Sequence, residues 1–211
     1  MNVNPTSIIA RTVAQRWRCR MSKAVLISIH PEWCEEIILG KKTMEVRKNR
    51  PTLDVPFKAY IYCTKAPKGW LRVVPGHGWQ QLDGKIIGEF VCDDVRRIGP
   101  EYCVVKEDIE SAITGSCLTV QQIRNYAGWK SGMSYADLKD LYGWHISYLK
   151  IYDKPKSLLD FHHSVDKTEL WCKKCAIGGK KGTACAFCYG LNGLRIHRPP
   201  QSWCYVEEIK Q

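Results

Sequence analysis

An α+β fold with two insertions is predicted by three features of the sequence. Short stretches of period-two alternation recur from residue 24 to 93 and again from 143 to 208. Between 99 and 142 the apolar period changes to that of helices, and at 172–188 two CxxC pairs stand close together. Alternation marks strands with one buried face, and a switch of period marks an insertion between them.

The densest pattern lies at 24–47, AVLISIHPEWCEEIILGKKTMEVR, which reads strand, helix, strand. Val25, Ile27 and Ile29 alternate with Leu26, Ser28 and His30, as in a strand with one deeply buried face. Pro31 stops that strand and suits a first helical position, where its missing N–H is no loss. Glu32, Glu35 and Glu36 fall in the first turns, where the helix dipole favours negative charge. Cys34, Ile37 and Ile38 form the apolar stripe, and Gly40 is placed as a left-handed cap. From 43 to 48, Met44 and Val46 take one face of a second strand, and Thr43, Glu45 and Arg47 the other.

A basic turn follows at 48–51. In the next strand, 57–65, Phe57, Ala59, Ile61 and Cys63 share one face, and Tyr60 and Tyr62 the other. Residues 66–83 read as a Gly- and Pro-containing loop carrying Trp70, His77 and Trp79. Trp70 is expected to pack inward; Trp79 is open between packing and base stacking. A strand at 85–93 puts Ile86 and Phe90 on one face with Gly88 between them. Thr119 with Gln122 forms a capping box before Ile123 and Tyr126, and Ser134 with Asp137 a second helix start before Leu138 and Leu141. One strand is expected over 143–152, a helical turn over 155–161 and a closing strand over 202–208.

The 211 residues suffice for one large or two small domains, and 45% apolar content is ordinary for a globular chain. No apolar run reaches the length of a membrane span, so no membrane partner is expected. The formal charge of +11 favours an anionic partner, nucleic acid above all. Part of that excess comes from residues 1–20, which hold Arg11, Arg16, Arg18 and Arg20 and no acid. Such a leader resembles a transit peptide. Yet Met21 stands immediately before the first strand. Residues 1–22 are therefore expected to be a disordered or non-essential extension of a domain at 23–211.

Eleven cysteines, mostly scattered singly, with no secretory signal pattern, indicate free thiols in a reducing cytoplasm. The exception is the cluster. Cys172 and Cys175, with Cys185 and Cys188, form two knuckles joined by a Gly- and Lys-rich loop. Each CxxC turn presents two thiolates to one ion, and two turns complete a tetrahedral structural zinc site within an insertion at about 166–198. Four protein ligands leave no open position for catalysis. A disulfide pair or a redox CxxC is the alternative.

GKKTMEVR at 40–47 fits the GxKxxExR signature of the ASCH domain, a branch of the PUA-like superfamily. The similarity extends to PEW at 31–33, IYCTK at 61–65, KIIGEF at 85–90, GWHIS at 143–147, YDKPKSLLDF at 152–161 and PPQSWCYVEEI at 199–209. The chain most resembles phage- and prophage-type ASCH proteins that carry a cysteine-rich insertion. The resemblance implies a PUA-like mixed β-barrel with a cleft beside the first helix that takes RNA or a modified or flipped base. It places Trp33, Lys42, Glu45, Arg47, Thr64 and parts of the 143–147 strand in that cleft.

A nucleobase needs an aromatic face, polar groups for its edge and cations for its phosphate. Trp33, Tyr62 or Trp144 would supply the face, and Glu45 would accept from an exocyclic amine. Lys42, Arg47 and Lys48 would hold phosphate. His145 completes the candidate set. Plainer roles compete: Glu45 pairing with Arg47, Trp33 in the core, His145 as a satisfied histidine. Lys42, at the helix-to-strand junction, has the least structural reason to be there.

Some ASCH proteins are amide hydrolases on acetylated cytidine, using threonine, lysine and glutamate. Lys42 matches the lysine, but Glu45 occupies the threonine position, Thr43, one residue after Lys42, would face the other way from that lysine, and 128–134 offers no matching glutamate. Ribonuclease activity in relatives suggests Lys42, Tyr62 and Ser147 as a further grouping. Binding of RNA or a modified nucleotide is thus the leading expectation. A hydrolase on RNA or a modified nucleoside, with Lys42 catalytic, and a protein-interaction module are the alternatives.

Overall fold

The computed structural model describes residues 23–74, 78–103, 106–130, 132–134, 137–164 and 195–209. The extension at the N-terminus, His77 and the four cluster cysteines fall outside these residues. Strand β1 (Lys23–Ile29) leads through α1 (Pro31–Ile38) to β2 (Met44–Arg47) and β3 (Phe57–Cys63). A hairpin of β4 (Leu71–Val74) and β5 (Gly78–Gln81) precedes β6 (Lys85–Cys92) and β7 (Val95–Ile98). A 3-10 turn (Pro100–Cys103), α2 (Lys106–Ala112) and α3 (Val120–Ala127) come before β8 (Leu141–His145) and β9 (Ser147–Lys156). A second 3-10 turn (Leu158–Asp160) and β10 (Trp203–Glu207) complete the described chain. None of its helices is long and apolar enough to cross a membrane.

Five strands form one mixed sheet in the order β10-β1-β3-β6-β9, with β1 and β3 parallel and the other neighbours antiparallel. A second sheet runs β2-β8-β7. The expected barrel is not closed: β10 and β9 stand at opposite edges of the larger sheet, and no ladder among the described residues joins them. The expected single strand over 143–152 explains why. It divides at Ile146, so that β8 pairs with β2 and β7 while β9 pairs with β6. Tyr148, at φ +46°, marks the change of direction. The chain thus turns corners between two packed sheets instead of wrapping one sheet round on itself.

Three apolar clusters set the layers. Val25, Ile27, Ile29, Cys34, Ile37, Ala59, Ile61, Phe90 and Trp144 fill the space between the two sheets and α1. Leu26, Tyr60, Tyr62, Ile86, Phe161, Ile196 and Val206 cover the other face of the large sheet. Met44, Val46, Ile98, Ile109, Ile123 and Leu141 pack the helical segment onto the small sheet. As an interior strand between β10 and β3, β1 is buried on both faces, so its alternation sorts residues between two cores, not between core and water.

The alternation of β3 holds as read. In β6 it does not: Ile86 and Phe90 face opposite cores. Across from them, Ile61 pairs with Gly88 and Tyr62 with Ile86, so Ile87 is an extra residue that reverses the phase. The segment 66–83 is not all loop, since β4 and β5 lie within it. Trp70 packs on the core as expected, while Trp79 is 73% exposed. The Thr119–Gln122 capping box is formed, and Gly128 at φ +79° ends α3. The described residues 138–140 form no helix, and Leu141 is drawn into β8 by pairing with Ile98. Only 158–160 turns within the helical turn expected at 155–161, because β9 continues to Lys156.

Asp83 clamps the base of the hairpin, accepting from the backbone N–H of Trp70 at 2.8 Å and Ala66 at 3.2 Å. Burial alone would raise its carboxyl, but the N–H donors of Trp70 and Ala66 and the Gln81 side chain outweigh it and hold the group below the usual aspartate range. A depressed folded value means that the clamp is fully present above the unfolded value and is lost as pH falls through the folded one. Tryptophan fluorescence should therefore report an acid transition below about pH 4 that Asp83→Asn removes. A second test concerns Gly88, where an added Cβ would lie 2.5 Å from the Lys150 carbonyl oxygen. Gly88→Ala should cost about 1–3 kcal/mol in urea unfolding, because backbone must shift to admit the methyl.

Candidate nucleotide-binding cavity

The turn out of α1 places the first functional group. Gly40 adopts φ +71°, and the N–H groups of Lys41 and Lys42 both reach back to the Glu36 carbonyl at 2.9 and 3.0 Å. Lys42 is thereby aimed inward and is buried, at 2% exposure for the residue. It donates to the Ser116 carbonyl at 2.6 Å and lies 3.3 Å from Glu45 Oε2. Its Nζ sits 5.4 Å from the centroid of the Trp33 ring.

β2 supplies the rest of the floor. Its alternation sends Met44 and Val46 to the helical layer and Glu45 and Arg47 to the opposite side. Arg47 Nη2 is 2.9 Å from Glu45 Oε1 and donates to the Ser28 carbonyl at 2.5 Å. Its Nη1 reaches Ser202 Oγ at 3.4 Å. One carboxylate thus sits between two cations, all three nearly out of water.

Above this floor opens a cavity of about 630 Å³. Trp33 and His30 of the α1 end, Thr64 after β3, Gln122 and Tyr126 of α3, and residues 199–202 wall it. Gln122 and Tyr126 are one helical turn apart on the same face of α3, which carries them to the rim while Ile123 faces the core. Tyr126 is 38% exposed, and burial of the phenol raises its pKa. The Lys48 ammonium lies 5.1 Å from the centroid of the Tyr126 ring.

Trp33, Lys42, Glu45, Arg47 and Thr64, all expected in the cleft, do line this cavity. Lys48 lines a neighbouring hollow of about 370 Å³. Three other candidates lie elsewhere. Tyr62 is buried on the far face of the large sheet, because β3 alternation sends it away from α1. Trp144 is fully buried, edge-on to Phe57 and Trp203, and offers no open face. His145 opens onto a separate hollow of about 360 Å³ with Thr43 and pairs with Asp93 at 2.6 Å. That hydrogen bond, against the opposing effect of burial, holds the Asp93 carboxyl low. The grouping of Lys42, Tyr62 and Ser147 is dispersed, and Ser147 Oγ donates to the Val91 carbonyl at 2.8 Å.

Sequence reasoning missed Ser28, His30, Gln122, Tyr126 and Ser202 as wall residues. The four-residue spacing of Gln122 and Tyr126 was the available signal for α3. Nothing local marks Ser202, which reaches the floor only through the pairing of β10 with β1. No group of three or more His, Cys, Asp or Glu able to hold a metal occurs among the described residues.

The floor makes a stability prediction. Glu45→Gln leaves two buried cations facing a neutral amide and should lower unfolding free energy by about 3–5 kcal/mol. Denaturant unfolding checks this, and a loss below about 1 kcal/mol would show that the charges are not coupled as described.

Among solved structures, the chain is similar to a crystal structure of ASCH from Zymomonas mobilis, at 18% identity and a TM-score of 0.49, covering 88% of each chain. A tyrosine-to-phenylalanine mutant of that protein matches at 17% identity and a TM-score of 0.49, covering 90% of this chain and 92% of the other. No curated protein matches the sequence well enough to stand as a relative. The family model described as "ASCH domain" matches residues 27–155. That span takes in α1, the charged floor and every strand up to β9 save the first residues of β1 and the last of β9, and the chain belongs to the ASCH domain family.

Proposed function

We propose that the cavity binds RNA or a modified nucleotide. The observation that carries this reading is the floor of Lys42, Glu45 and Arg47, two cations to one carboxylate, under a hollow of nucleotide size. Pockets of some hundreds of Å³ with a few convergent polar groups are usual for small ligands. Trp33 and Tyr126 stand on its walls, and a base stacks on such rings whatever its identity. Membership of the ASCH family, a PUA-like family of RNA-binding type, supports the same class of ligand. The basic charge of the chain does too.

The hydrolase alternative gains no support from the geometry. Glu45 stands where the acetylcytidine hydrolases have threonine, and both its oxygens are already engaged. Resemblance supports a phage or prophage origin, and the free thiols of Cys34, Cys63, Cys92, Cys117 and Cys204 support a reducing, cytoplasmic setting.

Tyr126→Ala should weaken binding of a labelled single-stranded RNA by about 1–3 kcal/mol, the usual worth of one stacked base. Fluorescence anisotropy measures it, and affinity should fall steeply with salt as counterions are released. Binding that ignores both the substitution and the salt, or capture of a protein with no affinity for oligonucleotides, would overturn the reading.

We also propose that Cys172, Cys175, Cys185 and Cys188 hold one structural zinc ion. Four thiolates in paired CxxC turns match its tetrahedral preference. Metal analysis of the native chain should find about one zinc per chain, lost on Cys175→Ser. Freely reactive thiols with no bound metal would reject it.

A further inference from the structure

Counting hydrogen-bonding capacity around the cavity separates what is already engaged from what is left for a ligand. Each acceptor of the charged floor and the Gln122 oxygen at the rim already has a partner. Glu45 Oε1 takes Arg47 and Oε2 takes Lys42. The Ser116 carbonyl takes Lys42, and the Ser28 carbonyl takes Arg47. The Pro200 carbonyl accepts from Ser28 Oγ at 2.7 Å. Gln122 Oε1 accepts twice from Thr119, from its N–H at 2.8 Å and its hydroxyl at 3.1 Å. That capping pair fixes which way the Gln122 amide points, since only the oxygen can accept.

The donors are not engaged to the same degree. The Gln122 amide N–H₂ has no partner among the described residues. An ammonium has three N–H groups, and Ser116 and Glu45 take two of those on Lys42. Arg47 Nε is buried with no acceptor among the described residues. Tyr126, 38% exposed on the cavity wall, has a phenolic O–H to give. A buried donor left unmatched is costly, and a ligand that supplies the acceptor recovers that cost on binding.

Resting on the nucleotide-binding proposal above, we infer that the ligand meets this cavity with oxygen acceptors, through the oxo edge of a base or a phosphoryl group, and that an exocyclic-amino edge is disfavoured. Glu45 is then a positioning residue that holds Lys42 and Arg47 in place, not the reader of an amine. Gln122 is the specificity-determining residue at the rim. The excess of two cations over one carboxylate points the same way, because an anionic oxygen completes the balance of the floor.

The test is calorimetric titration of the native full chain with inosine and adenosine monophosphates, with uridine and cytidine monophosphates, and with inorganic phosphate alone. Each pair differs by an oxo or an amino group at the recognition edge. The oxo member should bind about tenfold or more tightly, the usual worth of a well-placed edge contact. Gln122→Glu, which keeps the capping oxygen but replaces the donor with an acceptor, should erase that preference. If the members of each pair bind equally but inorganic phosphate competes, the acceptor is the phosphoryl group and the inference stands. Equal or amino-favoured binding with no competition by phosphate overturns the inference and leaves nucleotide binding intact. If no nucleotide binds while phosphate does, nucleotide binding fails and the acceptor-selective cavity survives. If nothing binds, both fail.

Discussion

A carboxylate held between two cations, away from water, is the constraint on which the architecture turns. Glu45 ties Lys42 to Arg47, and through them it ties four separate pieces of chain: the exit of α1, β1 at Ser28, the loop after α2 at Ser116, and the segment before β10 at Ser202. Desolvating three charges is unfavourable by several kcal/mol for each ion. Their attraction and the carbonyl hydrogen bonds offset it only in one geometry, so the charges specify arrangement more than they add stability. In this floor the arrangement also places the ammonium of Lys42 and the guanidinium of Arg47 in the lining of a hollow.

The layers explain why the hollow exists at all. α1 and the small sheet both pack on the inner face of the large sheet, but β2 is only four residues long and carries charge on its inward side. Apolar packing cannot continue across Glu45 and Arg47, so the core ends there. The helical segment, held to the outer face of β2 through Met44 and Val46, then reaches past the edge and supplies Gln122 and Tyr126 as the opposite wall. The same strand therefore anchors the helices with one face and floors the cavity with the other.

Alternation made much of this legible. The split of Met44 and Val46 from Glu45 and Arg47, the cap at Gly40, the capping box at Thr119 and the two faces of β3 all follow from period and backbone chemistry within a few residues. Trp33, Lys42, Glu45, Arg47 and Thr64 were identified as neighbours through the signature and its flanking blocks, and they line one cavity. Tyr62 and Trp144 were misplaced for a physical reason. An aromatic ring in a strand looks the same from sequence whether its face opens on a cleft or packs on a second core, and here both sides of the large sheet are covered. His145 was misplaced because its strand turns a corner immediately afterwards.

By itself the sequence determined the local chemistry: which residues form strands, where helices start and stop, and which charged groups share a strand face. Those properties depend on neighbours a few positions away. Only the tertiary structure decided that the large sheet stays open, that Ile87 reverses the phase of β6, and that Ser28, Ser116 and Ser202 meet the cations of β2. Those outcomes depend on strand partners and contacts as distant in sequence as Lys23 and Glu207, where pairing geometry and packing, not propensity, select the result.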